Sequence, residues 1–307
     1  MNEETKELTY QTPLFSRIFF SSFFDLLLLF LLGSALLFGA HSILKATPPF
    51  QDTIAARETI QEDSKLYVPD EEGVVLLSDY LQSQDITKKE KGVAYEEALD
   101  FFYGVFLPRH SIQDGANAYQ REKQAYNVNG LSLFDDEGNR LYSNPDYDET
   151  YLTFFEGNYQ TEALGYLERI PEYSEATRFL LFMELVAAGI AFSLAHAIVY
   201  LAIPLSFSRG KKTLGMKLAH LSSVGKNGFS ISWKKQLLLW LFQFVFLFWG
   251  SILAFLLPLG ITLTMQILRK DRQGVDQYVI GVYPVDDQER RIFKNAIEFA
   301  AYECKKD

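Results

Sequence analysis

The chain has almost no cysteine. Cys304 is the one thiol in 307 residues, which excludes a disulfide framework and a thiolate metal site. Catalytic signatures are missing as well. No HExxH pair occurs, no serine sits in a GxSxG setting, and no GxxxxGK[ST] loop is present. Thr213-x-Gly215 lacks that last spacing and does not read as a phosphate cradle. Asn144, Asp146, Asp148 and Glu149 gather polar groups but lack the full ladder of a calcium loop and its final glutamate, so they read as a solvated turn. These absences predict no enzyme, no cofactor and no resident metal.

Charge is nearly absent from three long runs, 17–44, 178–205 and 237–267. Each is long enough to cross a bilayer, which predicts a multi-pass α-helical membrane protein in contact with lipid. The first run is too long for a signal-peptide core and is read as a retained anchor. The third has 31 residues. As one helix it would run about 46 Å against a hydrocarbon core of about 30 Å. It therefore reads as a hairpin turning near Trp249–Ser251, which makes four membrane segments. Three spans with an outside C-terminus is the alternative.

Where charge does occur, it is segregated. The stretch 46–177 holds 26 acidic and 10 basic residues, a net of −16, while the rest of the chain carries +6 within a total of −10. The loop 205–235 holds seven Lys or Arg and no acid. By the positive-inside rule that loop and the N-terminus lie in the cytoplasm and 46–177 lies outside. The basic residues adjoin apolar runs, so lipid headgroups explain them and nucleic acid does not.

The expected organisation is a tail and first span over 1–45, an acidic domain over 46–177, a membrane domain over 178–285 and an amphipathic helix over 286–307. In the acidic domain, apolar spacing predicts helices over 53–63, 74–84, 94–106, 111–126, 148–155 and 160–170. The alternation over 130–142, broken by DDEGN, predicts one β-hairpin. In the cytoplasmic part, 217–224 and 229–232 flank a GKNG turn and predict a second. Asp286 with Glu289 predicts a capped helix over 286–303.

A few polar residues stand out in or beside the apolar runs. Asp25 lies eight residues past Arg17, about 12 Å along a helix. His196 lies eight residues before Pro204 in the opposite-running second span, at a similar depth. An Asp–His pair there would relay protons or bind a cation. The structural alternative has Asp25 pair with Arg17 or cap buried backbone. Glu184 and His41 sit nearer the outer ends, where they either meet or reach headgroup water. Asp276, after the Arg269–Arg272 cluster, either gates or binds a cation at the cytoplasmic mouth or is a turn or cap that locks the cytoplasmic unit through salt bridges.

Three separated pieces together resemble one family. A span beginning with Arg17 and holding Asp25, the segment GKKTLGMKL with Thr213, Gly215 and Lys217, and RQGVDQYVIGVYPV with Asp276 resemble the RDD family of bacterial membrane proteins. Val275 stands where many members have His, and Gly281-Val282 where many have Gly-Thr. The resemblance covers the first span and 178–285, and makes the acidic domain an insertion. It implies a helical bundle with a small cytoplasmic β unit, and a role in transport with cation/proton antiport suggested for some members. Such a small bundle would need to form a homo-oligomer for a pathway. The competing expectation is a membrane anchor or sensor whose outer domain binds a protein partner.

Overall fold

The computed structural model describes residues 10–71, 73–128, 131–135, 139–141, 146–288 and 290–305. The chain folds as two compact units. One combines Met1–Ile43 with Leu185–Asp307, and the other is Leu44–Glu184. The acidic stretch falls inside the second.

Three helices are long and apolar enough to cross a membrane: Phe15–Lys45, Pro171–Ser206 and Trp233–Leu253. The protein is thus membrane-embedded and mostly helical. On the first helix, Ile18, Ser21, Asp25 and Leu29 are buried. Their spacing places them along one helical stripe. The other faces show Phe19, Phe23, Leu26, Phe30 and Leu31, the surface expected against lipid tails. Leu29 packs with Ala195 and Val199 of the second helix. These small and branched residues allow close approach, the usual basis of helix association in lipid.

The third apolar run does not turn at Trp249–Ser251. The helix continues through those residues and breaks at Ala254–Leu256, where Phe255 and Leu256 both take positive φ (47° and 65°). Pro258 explains the position. A proline ring clashes with the carbonyl four residues earlier, which here belongs to Ala254. The chain then restarts as Leu257–Leu268, with proline in its first turn. Twelve residues rise only about 18 Å, little more than half of a hydrocarbon core.

A small β unit completes this half of the molecule. Leu221–Gly225 pairs antiparallel with Val282–Asp286, in register from Leu221↔Asp286 to Gly225↔Val282. The expected hairpin partner 229–232 supplies only an isolated bridge, Val224↔Ser230. The turn itself is present, since the Gly228 amide donates to the Gly225 carbonyl at 2.9 Å. Lys217 is in no strand; it lies on the short helix Leu214–Leu218. The expected helix over 286–303 is also corrected. Asp286 ends a strand, and the helix is Ala296–Glu303, capped by the Asn295 side chain accepting from the Glu298 amide at 2.9 Å. Glu289 lies outside the described residues.

The Leu44–Glu184 unit is built on aromatic rings. Tyr95, Phe102, Tyr103, Tyr119, Tyr151, Phe155 and Tyr159 are all buried in one cluster. They come from Lys88–Phe101 and its wide-turned continuation, from Asp114–Ala125, and from Tyr147–Asn158 with its continuation. Each such ring contributes about 1.5–3 kcal/mol on burial. Lys88–Phe101 starts with a reciprocal cap: Thr87 accepts from the Glu90 amide, and Glu90 accepts from the Thr87 amide at 2.8 Å. These hydrogen bonds to Thr87 hold the exposed Glu90 carboxyl below its usual range. Glu96, buried, pairs with Lys123 (2.8 Å) and Arg140 (2.7 Å). Burial, and next the Asp100 carboxylate beside it, push the Tyr119 phenol up.

The strands of this unit differ from expectation. Tyr67–Asp70 pairs antiparallel with Gly73–Leu76, so 74–76 is strand and the helix begins only at Leu77. The β-branched pair Val74-Val75 suits a pleated surface better than a helix start. Around the predicted hairpin, Phe134 and Arg140 form an antiparallel bridge. Its turn, 136–138, and the Asn144-Pro145 part of the carboxylate-rich stretch lie outside the described residues. Asp148 and Glu149 open the helix Tyr147–Asn158.

Candidate functional site

Arg17 reaches the β unit and not Asp25. Its Nε donates to the Ala219 carbonyl at 2.8 Å, its Nη2 to the His220 carbonyl at 3.0 Å, and its guanidinium pairs with the Asp286 carboxylate. The 80° offset between positions eight apart on a helix already disfavoured an Arg17–Asp25 pair. Burial pulls the Asp286 carboxyl up, but bonds from the Gln288 amide and from Arg17 outweigh it and hold the group below the usual carboxylate range.

Asp25 holds the Thr-x-Gly segment. The Thr213 hydroxyl donates to one carboxylate oxygen and the Gly215 amide to the other at 2.8 Å. The same hydroxyl accepts from the Met216 amide at 3.1 Å and so caps Leu214–Leu218. Gly215 is required by closeness: a methyl there would lie 2.2 Å from the Ser21 carbonyl oxygen and 2.9 Å from the Asp25 carboxyl. Lys217, exposed, sits over the Phe207 ring at 5.5 Å. It is not a ligand of Asp25.

His196 is buried among rings. Tyr200 lies 4.7 Å away between centroids, Phe248 5.2 Å and Phe244 5.5 Å. Among the described residues no hydrogen bond joins it to Asp25, and its Nδ1 has no partner. The aromatic face of the third helix occupies that space. Four residues on, the Tyr200 carbonyl accepts from the Gln236 amide at 3.0 Å. It belongs to the wide π turn Ile198–Ala202, which loosens the helical ladder and frees carbonyls for such bonds. Glu184 is half-buried on the second long helix, at the end of the Leu44–Glu184 unit.

Asp276 is buried, and its Oδ2 accepts from the Gln243 side-chain amide at 2.7 Å. Gln243 lies ten residues past Trp233, about 15 Å along the third helix, close to half the thickness of a hydrocarbon core. Among the described residues Asp276 forms no salt bridge, so the expected lock through ion pairs is not seen. Arg269 pairs with Asp271 at 2.7 Å and lies over the Tyr278 ring. Arg272 donates to the Gln266 carbonyl at 3.1 Å and to that of Ile267, closing the end of Leu257–Leu268. Arg269 and Arg272 are thus committed elsewhere.

Thr262, Gln266 and Asp276 meet over Gly274. A methyl at Gly274 would lie 2.6 Å from Thr262 Cγ2, 2.8 Å from Asp276 Oδ1 and 3.3 Å from Gln266 Nε2. Thr262 and Gln266 are one turn apart on one face of Leu257–Leu268, and both are buried. The Thr262 hydroxyl oxygen has no hydrogen-bond partner. Sequence reading passed over these residues and Gln243. The available signal was a neutral polar side chain inside an apolar run, at Gln243, Thr262 and Gln266. Among the described residues no group of three or more His, Cys, Asp or Glu is placed to hold a metal ion.

No protein-family model matches the chain, and no curated protein or solved structure matches it either. The resemblance to the RDD family stands on Arg17, Asp25, Thr213-x-Gly215 and Asp276 alone.

Proposed function

We propose that this is an RDD-type membrane protein that moves a cation or a proton, with Asp276 as the carrier carboxylate and Asp25 as the residue that fixes the bundle around it. The observation that carries the reading is Asp276 itself, a buried carboxylate that forms no ion pair among the described residues. An unpaired charge at membrane depth costs about 2.5–3.5 kcal/mol on insertion scales. Taking up a proton or a cation removes that cost. Asp25 has both oxygens engaged by protein donors, which suits a fixed role.

In this reading the basic loop 205–235 and both termini are cytoplasmic, and Leu44–Glu184 faces outward. Leu257–Leu268 is a fourth, half-length segment. The chain from Arg269 to Gly281 then fills the cytoplasmic half of the layer beside the third helix. Broken helices at the membrane midplane recur at the ion sites of secondary transporters. A homo-oligomer supplies the remaining walls of a pathway.

The test is flux in proteoliposomes holding the full chain, read with a pH-sensitive dye while Na⁺ or K⁺ gradients are imposed. Asp276→Asn is expected to abolish cation-dependent proton movement. Flux in that variant equal to the wild type would overturn the assignment.

A second reading keeps the membrane part as an anchor for a partner-binding outer domain. It is favoured by the separate aromatic core and internal ion pairs of Leu44–Glu184. Site-specific crosslinking from this unit in membranes tests it. Recovery of one discrete partner, with no flux from the purified protein, would replace the transport reading.

A further inference from the structure

Within the Leu44–Glu184 unit, the seam between Asp114–Ala125 and Tyr147–Asn158 is not closed. A groove of about 470 Å³ runs there, with Tyr126 and Phe154 toward one end and Glu162 toward the other. Phe154 and Glu162 are eight residues apart, about 12 Å along a helix. Gly157 lies between them and keeps the groove open: a methyl at that position would meet no atom within 4 Å.

The wall is rich in acceptors and poor in donors. The Thr153 and Thr161 hydroxyls donate to the Glu149 and Gly157 carbonyls, both at 2.8 Å, so each offers a ligand only its lone pairs. Asn158, buried, accepts from the Tyr103 hydroxyl at 3.2 Å and donates to Glu122 at 3.1 Å. That second bond holds the Glu122 carboxylate at the groove. No Lys or Arg lines it among the described residues. Neighbouring basic groups are engaged elsewhere. Arg121 donates to the Asn117 carbonyl at 3.1 Å, Lys123 pairs with Glu96 and Asp100, and Arg169 lies between Asp114 and the Tyr166 ring.

We infer that this groove binds a small primary amine with an apolar body, its ammonium between Glu122 and Glu162 and its body on the Tyr126 and Phe154 rings. An ammonium brings three donors and no acceptor, the complement of this wall. The two rings, 4.4 Å apart between centroids, supply apolar surface and a face that attracts cations. The net charge of −16 over 46–177 raises the local concentration of cations. Size selects a small molecule over a protein. The volume falls within the range of about 300–1,000 Å³ typical of small-molecule sites, whereas a stable protein partner covers about 800 Å² of each surface.

This site lies in the outer unit and depends on neither Asp276 nor transport. Its test is calorimetric titration of the purified full chain in detergent with 4-phenylbutylamine, 4-phenylbutanol and 4-phenylbutanoate, which share a body and differ in charge. Saturable binding of the amine is expected, weakening as salt rises, with none for the alcohol or the acid. Glu162→Gln should weaken amine binding about tenfold, the scale of a hydrogen bond to a charged group. Gly157→Leu fills the groove while putting a better helix former in place of glycine. Its unfolding midpoint should be no lower than that of the wild type, and its amine binding should be lost. Gly104→Leu, at an exposed glycine that is equally open but does not line the groove, should bind like the wild type.

No saturable amine binding by the wild type would overturn the site. So would equal binding of the alcohol, or wild-type affinity in Gly157→Leu. A capped Lys-Phe dipeptide that binds where the free amine does not would overturn the small-molecule occupant in favour of a peptide.

Discussion

The Thr213 hydroxyl donates to the Asp25 carboxylate across 188 residues of sequence while capping the helix that follows it. One side chain therefore satisfies a buried anion in the first membrane helix and orders the short helix Leu214–Leu218 at the same time. Thr213→Val keeps the shape and removes both bonds. A buried carboxylate short of one donor and a helix short of its cap together cost about 2–4 kcal/mol. The unfolding midpoint in detergent should fall, and Thr213→Ser should recover most of it. A Thr213→Val midpoint equal to the wild type would show that the bond contributes nothing.

Gly215→Ala tests closeness rather than hydrogen bonding. The added methyl would meet the Ser21 backbone carbonyl at 2.2 Å, and backbone cannot swing aside as a side chain can. Overpacking of this kind costs about 1–3 kcal/mol or more. The variant should be less stable than Gly189→Ala, where the nearest atom is a Trp249 ring carbon at 3.5 Å. Equal midpoints for the two would contradict the contact.

Much of this architecture was legible in the sequence, and the reasons for the misses are local. Charge-free runs reveal helices because each residue contributes independently to hydropathy, and the oddness of Asp25 in such a run was plain. Its partner was not, because Thr213 lies on the far side of the acidic unit and nothing in a linear pattern measures that distance. The burial of Asp276 was hidden for a related reason. It follows three basic residues that suggested ion pairs, whereas Arg269 and Arg272 turn to Asp271 and to helix carbonyls and leave it buried. The turn expected at Trp249–Ser251 moved to Ala254 because the constraint comes from Pro258, four residues downstream of the break it causes. Thr262, Gln266 and Gln243 were passed over because uncharged side chains hardly perturb hydropathy.

The Arg17–Asp286 pair gives a pH dependence whose sign follows from the lowered carboxyl. Asp286 in the fold loses its proton more readily than in the unfolded chain. Its stabilising contribution is complete above the ordinary carboxylate range and disappears as pH falls through the folded value. Asp286→Asn removes this contribution at neutral pH and has none left to lose in acid. The difference in unfolding midpoint between wild type and variant should therefore shrink as pH drops from about 7 toward 3. A difference that stays constant or grows on acidification would contradict the pairing.

The aromatic core of Leu44–Glu184 makes this unit a folding domain in its own right. It is a compact unit with its own buried ion pairs, and its length is well above the limit below which small chains need crosslinks. Expressed alone, it should give a cooperative thermal transition and near-ultraviolet circular dichroism from fixed Tyr and Phe rings. Phe155 is the residue to remove. It is fully buried, with Tyr151 at 4.8 Å, Phe154 at 4.9 Å and Phe134 at 6.2 Å between centroids. Phe155→Ala leaves a cavity among rings that cannot collapse inward and should cost about 3–5 kcal/mol. That is a large share of the 5–15 kcal/mol that holds a typical domain. Loss of the transition in Phe155→Ala with a sharp transition in the parent fragment is the expected pair of results. A parent fragment without a transition would mean that the membrane helices, and not this ring cluster, hold the unit together.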